Sequence, residues 1–438
     1  IISGLSPANI HYHGLDKLNI FLGKSDNTFN IESTYSGTNV TVTGRNGGGT
    51  YNIGSETTSL TDDLGWVNEI RSQVELLAGA GVLEVQQLSI AQAVTGNLVL
   101  LVPNANNSGA ERATQSITIS SDSAQNAAAI EAALNSESVL GAAAVTVTDP
   151  TPGVYEIAFA NLGNFSELEI LDASISAVSP NASVSTLIDG RVDQLNLDDR
   201  QETAQRSSRL EPSLITGLGM DGGQVIYTGF EDLNIGLGGG NDSFFVQDTH
   251  AGTTTIDLGD ETPLAGQVND RISIRAISGT TRVRGGAGND HFFVNYQSDF
   301  ATQTFQNNIG AVLWLHGQTD SDLYRVGLAG EGSSIINVLD QSNGDLGVDS
   351  LIINGTNDQD TFFLRPNAVS SVSEDLPGNR TIERINYDGS LNGGMTINGR
   401  DDDDTFVLDD NNIITTIYGD AGNDIFQVGQ VFQSPRDA

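Results

Sequence analysis

The chain repeats part of itself, and that repeat limits its folding options more than any other feature. Tyr12-His13-Gly14-Leu15-Asp16-Lys17-Leu18-Asn19-Ile20-Phe21-Leu22-Gly23 returns as Tyr227-Thr228-Gly229-Phe230-Glu231-Asp232-Leu233-Asn234-Ile235-Gly236-Leu237-Gly238. The offset of 215 residues holds through Phe29/Phe244, Thr34/Thr249, Gly37/Gly252 and Gly44/Gly259. Upstream, Ile2-Ser3-Gly4-Leu5 matches Ile215-Thr216-Gly217-Leu218 after a two-residue gap. A third, weaker copy runs from Tyr387 and Gly389 through Ile397 and Gly399 to Phe406. Repetition on this scale is the signature of architectures that stack one supersecondary unit on the next.

Inside each copy a shorter unit recurs, a Gly/Asn/Asp turn followed by Asp-x-aromatic-x-aliphatic. It reads Gly240-Asn241-Asp242-Ser243-Phe244-Phe245-Val246, Gly288-Asn289-Asp290-His291-Phe292-Phe293-Val294 and Gly422-Asn423-Asp424-Ile425-Phe426-Gln427-Val428. Related forms begin at Asp270, Asp322, Asp360 and Asp404. Alternation after the Asp places the aromatic and aliphatic residues on one face of a strand, and that face must be buried. The glycines allow a tight turn and a close approach of backbone to an ion. Ile272 to Phe292 and Phe406 to Phe426 are both steps of 20 residues, a distance that suits one coil of a parallel β-helix. Phe244, Phe292, Phe406 and Phe426 are expected in one buried row, with Phe245 and Phe293 pointing the other way. Coils stacked this way also stack the Asp residues, which repel unless a cation lies between them.

Charge supports that reading. With 19 basic and 56 acidic residues the net charge is −37, which disfavours nucleic acid and anionic membranes as partners. A solvated, salt-adapted surface would also be acidic, but without positional pattern. No cysteine is present, so disulfides and thiolate metal sites are excluded. Hard divalent cations held by carboxylate and carbonyl oxygens remain. The expected ligands are Asn241, Asp242, Asn289, Asp290, Asp360, Asp402, Asp404, Asp420, Asn423 and Asp424. The first copy, with Asn27 and Gly49 at the Asp position, is expected to be metal-poor.

The runs Gly285-Gly286-Ala287-Gly288-Asn289-Asp290-His291-Phe292 and Gly419-Asp420-Ala421-Gly422-Asn423-Asp424-Ile425-Phe426 resemble the hemolysin-type (repeats-in-toxin) nonapeptide GGxGxDxUx. The larger repeat is similar to segments of giant repetitive bacterial extracellular proteins. The resemblance covers about half the chain and implies Ca2+ bound between successive turns. Here, however, the matches lie tens of residues apart rather than in nine-residue tandem, so fewer and more widely spaced sites are expected.

The expected fold is mainly β, with parallel β-helix or solenoid-like coils and an inserted small α/β domain. Residues 1–82 are read as a degenerate first copy and 83–185 as the insertion, with a helix capped by Ser121, Asp122 or Ser123. Residues 186–214 are read as a connection, with Asp193–Leu210 exposed, 215–380 as the second copy and 381–438 as a partial third. In 60–82, Val67, Ile70, Val74 and Leu77 have helical spacing, yet the segment also reads as a further coil, which is preferred.

These features point to a non-enzymatic, calcium-stabilised segment of a secreted surface, adhesin or biofilm-matrix protein. Its partners would be further copies of itself, stacked head to tail into filaments, or surface glycans and proteins. The rival is a carbohydrate-active β-helix enzyme (lyase, glycosidase or epimerase), which needs acids clustered with basic groups on one sheet face. His11, His13, His250, His291 and His316 show no such arrangement in the sequence. Asp401 and Asp404 have the spacing of an acid–base pair but occupy a turn of the repeated type.

Overall fold

The architecture follows from short strands in which every second side chain is apolar. In the computed structural model, Asp232–Gly236 buries Leu233 and Ile235, Thr253–Asp257 buries Ile256, and Leu323–Gly327 buries Tyr324 and Val326. The structure describes residues 14–23, 27–45, 47–54, 66–79, 81, 83–90, 95–105, 110–136, 138–141, 143–162, 167–175, 182–188, 190–261, 268–340, 347–376 and 379–429. The protein is mainly β, and among the described residues most strands belong to two long sheets of 13 strands each. From Asp232 to Asn354 successive strands alternate between the two sheets, so each strand lies parallel to the next but one.

That alternation aligns the apolar residues in register. In the first sheet Phe244, Ile272, Phe292, Tyr324, Leu351 and Met395 follow one another, with Val246, Ile274, Val294, Val326, Ile353 and Ile397 beside them. In the second sheet Leu197, Ile235, Ile256, Val283, Leu315, Val338 and Tyr387 form the facing row. All belong to one core shared by both sheets. Each fully buried aliphatic or aromatic side chain contributes about 1.5–3 kcal/mol of transfer free energy.

The aromatic row differs from expectation. Phe244 and Phe292 lie in the first sheet, whereas Phe406 and Phe426 lie in the second. Phe362, Phe406 and Phe426 stack in sequence at 5.0 and 4.9 Å, but Phe426 caps the last described strand and is 49% exposed. Phe293 faces outward yet is buried, because Tyr296, Phe300 and Arg325 close over it.

Two antiparallel reversals interrupt the parallel pattern. Ser207–Glu211, Leu214–Thr216 and Gln224–Thr228 fold back within the first sheet. Thr361–Arg365, Ala368–Leu376 and Asn379–Tyr387 do so within the second. They are built alike. The Tyr227 hydroxyl donates to the Glu211 carbonyl at 2.9 Å, and the Tyr387 hydroxyl donates to the Arg365 carbonyl at 2.8 Å.

The segment Asp193–Leu210 is not an exposed connection. It supplies strands Gln194–Asp198 and Ser207–Glu211, with Leu195, Leu197 and Leu210 fully buried. Its polar composition is misleading because Asp193, Asp198, Asp199 and Glu202 are themselves buried. In the ambiguous stretch before residue 82, Gln73–Leu77 is a strand pairing in parallel with Asn39–Thr43 and Gln224–Thr228. Residues 55–65 lie outside the described set.

Between residues 83 and 188 the chain forms two antiparallel four-stranded sheets and the helix Ser123–Leu134, with a separate hydrophobic core. Asp122 caps the helix by accepting the N–H groups of Ala124 and Gln125, and Ala127, Ile130 and Leu134 form its buried face. Among the described residues no helix is long and apolar enough to cross a membrane.

Candidate metal centre

The repeated Asp is the residue that leads each strand out of its turn, and in the first sheet these residues form a ladder. The Asp242 N–H donates to Asp270 Oδ1 at 2.6 Å, Asp270 to Asp290 at 2.9 Å, Asp290 to Asp322 at 2.8 Å and Asp322 to Asp349 at 3.0 Å. The Arg206 N–H on Asp242 begins the series, and Asn392 Oδ1, accepting from Asp349, ends it. Neighbouring strands lie about 4.8 Å apart, a step that the short Asp side chain can bridge to a backbone amide. A second ladder leads strands of the other sheet, with Asp360 N–H on Asp404 at 2.8 Å and Asp404 N–H on Asp424 at 3.0 Å.

The glycine five residues before the Asp makes room for this arrangement. A Cβ on Gly285, Gly317, Gly355, Gly399 or Gly419 would lie 2.6, 1.9, 2.6, 2.1 or 2.1 Å from Oδ2 of Asp290, Asp322, Asp360, Asp404 or Asp424 respectively. None of these five glycines has a left-handed φ, so close approach rather than backbone freedom requires them. Gly288 and Gly422 do have positive φ, at 136° and 145°.

With Oδ1 committed to the ladder, the second oxygen becomes conspicuous. Oδ2 of Asp270, Asp290, Asp322 and Asp404 is buried without a hydrogen-bond partner among the described residues, as are both carboxylate oxygens of Glu261. Two groups of three acids bring one carboxylate oxygen from each residue within 4.8 Å of one another: Glu261, Asp270 and Asp290, and Asp322, Asp340 and Asp349. All six residues are buried. Each group joins two ladder aspartates to an acid that follows a second-sheet strand, Glu261 after Thr253–Asp257 and Asp340 after Ser334–Val338. The Glu261 N–H donates to the Ala287 carbonyl at 2.7 Å. Asp340 donates its N–H to Ser390 Oγ at 3.0 Å, and its Oδ1 accepts the Gln318 N–H and the Tyr324 hydroxyl.

Burial, reinforced by neighbouring carboxylates, pushes these acids far above their usual range: Glu261 to about 9, Asp270 to about 10 and Asp322 to about 10. Asp290 is raised by burial to about 6, moderated by the N–H of Asp270. At the start of the ladder burial likewise lifts Asp199 to about 8 and Asp242 to about 7, but a protein cation partly offsets it. There the Arg206 guanidinium pairs with Glu202, beside Asp199 and Asp242.

The ten ligands expected from sequence divide into two sets. Asp242, Asp290, Asp360 and Asp404 are buried ladder members, and Asp424 is the half-buried last one. Asn241, Asp402, Asp420 and Asn423 are exposed and Asn289 half-buried. The asparagines serve as turn bridges. Asn289 Oδ1 accepts the Ser321 N–H, and Asn423 donates to Asp403. Asp402 and Asp420 hold left-handed turn positions at φ 73° and 63°. Sequence reasoning missed Asp270, Asp322 and Asp349, although the first two begin related units. It also missed Glu261 and Asp340, which no motif marks.

Asn30, Asn52, Asn196 and Asn234 link side chain to side chain at 2.7–2.9 Å along the second sheet. Among the histidines, His250 packs on Tyr227 and His316 stacks on Trp314, while His11 and His13 lie outside the described residues. Comparison with protein-family models, with curated proteins and with solved structures finds no match to this chain.

Proposed function

We propose that this chain is a calcium-stabilised structural segment of a secreted bacterial surface, adhesin or matrix protein, its two sheets closing into a β-solenoid. The observation that carries the reading is the set of buried leading aspartates Asp270, Asp290, Asp322 and Asp404, whose second oxygens have no hydrogen-bond partner among the described residues. Buried charge costs several kcal/mol per ion unless it is paired or coordinates a metal. Ladder aspartates offer hard oxygen donors only, the chemistry of calcium and magnesium rather than of zinc or copper. Calcium is favoured because it accepts irregular carboxylate and carbonyl sets, whereas magnesium demands near-octahedral geometry and retains its waters. The large parallel core and the repeated construction suit a load-bearing spacer, with glycans, surface proteins or further copies as partners. Thermal melting with calcium, magnesium or chelator tests this. Calcium at one hundred times its dissociation constant should add about 2.7 kcal/mol of stability, magnesium markedly less. An unchanged melting temperature across the three conditions refutes the reading.

A further inference from the structure

Resting on the calcium reading above, we propose that the ions bind not in the exposed Gly/Asn/Asp turns but in two interior sites. One is made by Glu261, Asp270 and Asp290, the other by Asp322, Asp340 and Asp349, and each takes one calcium ion.

Three observations converge on this assignment. First, both triads contain buried carboxylate oxygens that have no hydrogen-bond partner among the described residues. Asp270, Asp290 and Asp322 each give Oδ1 to a ladder amide and keep a buried Oδ2 without a hydrogen-bond partner among the described residues, and Glu261 has two such oxygens. Buried polar atoms usually have at least one hydrogen-bond partner, so a group of buried oxygens with none calls for an explanation such as a bound ion. Second, the same construction occurs twice, two consecutive ladder aspartates plus one acid from the loop that leaves the opposite sheet. An ion there would fasten that loop to the row of leading aspartates, tying the two sheets together at one end of their strands. Third, the ladder contains an internal comparison. At Asp242 the neighbouring acids Glu202 and Asp199 have a protein cation, Arg206. Neither triad has an Arg, Lys or His among its members, and its three carboxylates are matched by a divalent ion bound with a hard oxygen set.

The exposed residues that the motif suggests are used otherwise. Asn289 and Asn423 bridge turns, and Asp402 and Asp420 occupy left-handed corners. They set the turn that delivers the ladder Asp, and the ion sits one layer deeper.

Isothermal titration of the full chain with calcium chloride after chelation measures the stoichiometry. The parent should bind two ions, Glu261→Gln one, Asp340→Asn one and the double variant none, whereas Asp420→Asn should still bind two. The substitutions are chosen because Gln preserves the size of Glu261, and the amide oxygen in Asp340→Asn can still accept from Gln318 and Tyr324. In chelator, Glu261→Gln should melt above the chelated parent, since its amide relieves the crowding of like acids and can donate to a carboxylate oxygen that has no partner among the described residues. A carboxylate with a purely structural role would give the opposite sign. Anomalous scattering from calcium-soaked crystals is independent of any variant. Peaks inside both triads support the assignment, and peaks confined to the turns overturn it. Calcium stabilisation of the parent with undiminished stoichiometry in Glu261→Gln and Asp340→Asn refutes these sites and leaves the broader reading intact. A parent that neither binds calcium nor responds to chelator refutes both.

Discussion

Gly317→Ala tests the ladder at its tightest point. The added methyl would lie 1.9 Å from Asp322 Oδ2, 2.5 Å from Asp322 Cγ and 2.5 Å from the Tyr324 hydroxyl oxygen. An ordinary contact is 3.4 Å or more, so the carboxylate must retreat by more than 1 Å. Neither neighbour has room to do so. Asp322 holds the Asp290 N–H at 2.8 Å, and Tyr324 is fully buried and stacked on Phe292 at 4.8 Å. Overpacking costs about 1–3 kcal/mol, and losing a hydrogen bond to a charged acceptor costs about 1.5–3 kcal/mol more. The sum is roughly 2.5–6 kcal/mol. With an unfolding entropy of about 2.1 cal/mol/K per residue, a chain of this length melting as one unit would lose roughly 3–7 °C. Backbone strain does not enter, because Gly317 has no left-handed φ.

Differential scanning calorimetry in saturating calcium is the assay, with Gly389→Ala as control, since a methyl there meets nothing within 4 Å. The control should stay within about 0.5 kcal/mol of the parent, as surface changes do. In an Asp322→Ala background the Gly317→Ala penalty should shrink to about 1–2 kcal/mol, because residues in direct contact couple. A Gly317→Ala protein that melts within about 1 °C of the parent refutes the account of glycine as a seat for the carboxylate.

Phe292→Ala should cost about 3–5 kcal/mol because the ring is fully buried between layers, whereas Phe426→Ala, half-exposed at the end of the stack, should cost about 1 kcal/mol or less; equal costs in urea denaturation would show the rows are wrongly placed. Glu383 is buried under the N–H groups of Ala329 and Gly330, and burial lifts it to about 7 from an ordinary value of 4.5. The unfolded chain therefore loses this proton first, and stability falls as pH rises from 4.5 to 7, by up to about 3 kcal/mol; Glu383→Gln should flatten that slope in melts from about pH 4.5 to 8, and an undiminished slope refutes the assignment.

The strands were legible because alternation after each Asp is a local signal, and the step from Ile272 to Phe292 gave the parallel register correctly. What escaped was contributed from outside the motif. Glu261 and Asp340 stand in loops without repeated sequence, and only the return of the opposite sheet brings them to Asp270, Asp290, Asp322 and Asp349. Asp193–Leu210 misled for a related reason. Polar residues usually mark an exposed segment, but here Asp199 accepts the buried Val67 N–H and Glu202 accepts Asn68 and Arg206. The exposed asparagines and aspartates of the turns are conspicuous in sequence because the turn geometry needs them at fixed positions.

The placement of the duplicated segments explains why one motif yields two different surroundings. Ile20 and Phe29 lie in the first and second sheets, their counterparts Ile235 and Phe244 in the second and first, and Ile397 and Phe406 in the first and second again. Each copy is therefore exchanged between sheets relative to the one before. The exchange is tolerated because both sheets present the same alternation to one shared core, so a unit fits in either. It has a chemical consequence. Asp242 and Asp404 are equivalent in sequence, yet they lead strands of opposite sheets and meet different loops. The first-sheet ladder receives Glu261 and Asp340 from the turns that leave the second sheet, and so closes two triads. Among the described residues the second-sheet ladder of Asp360, Asp404 and Asp424 forms no such group of three acids, although the buried Glu383 lies close enough to Asp360 to feel its charge. The repeat thus supplies leading carboxylates in the second and third copies, and the sheet to which a copy is assigned decides whether a loop acid joins them in a buried triad.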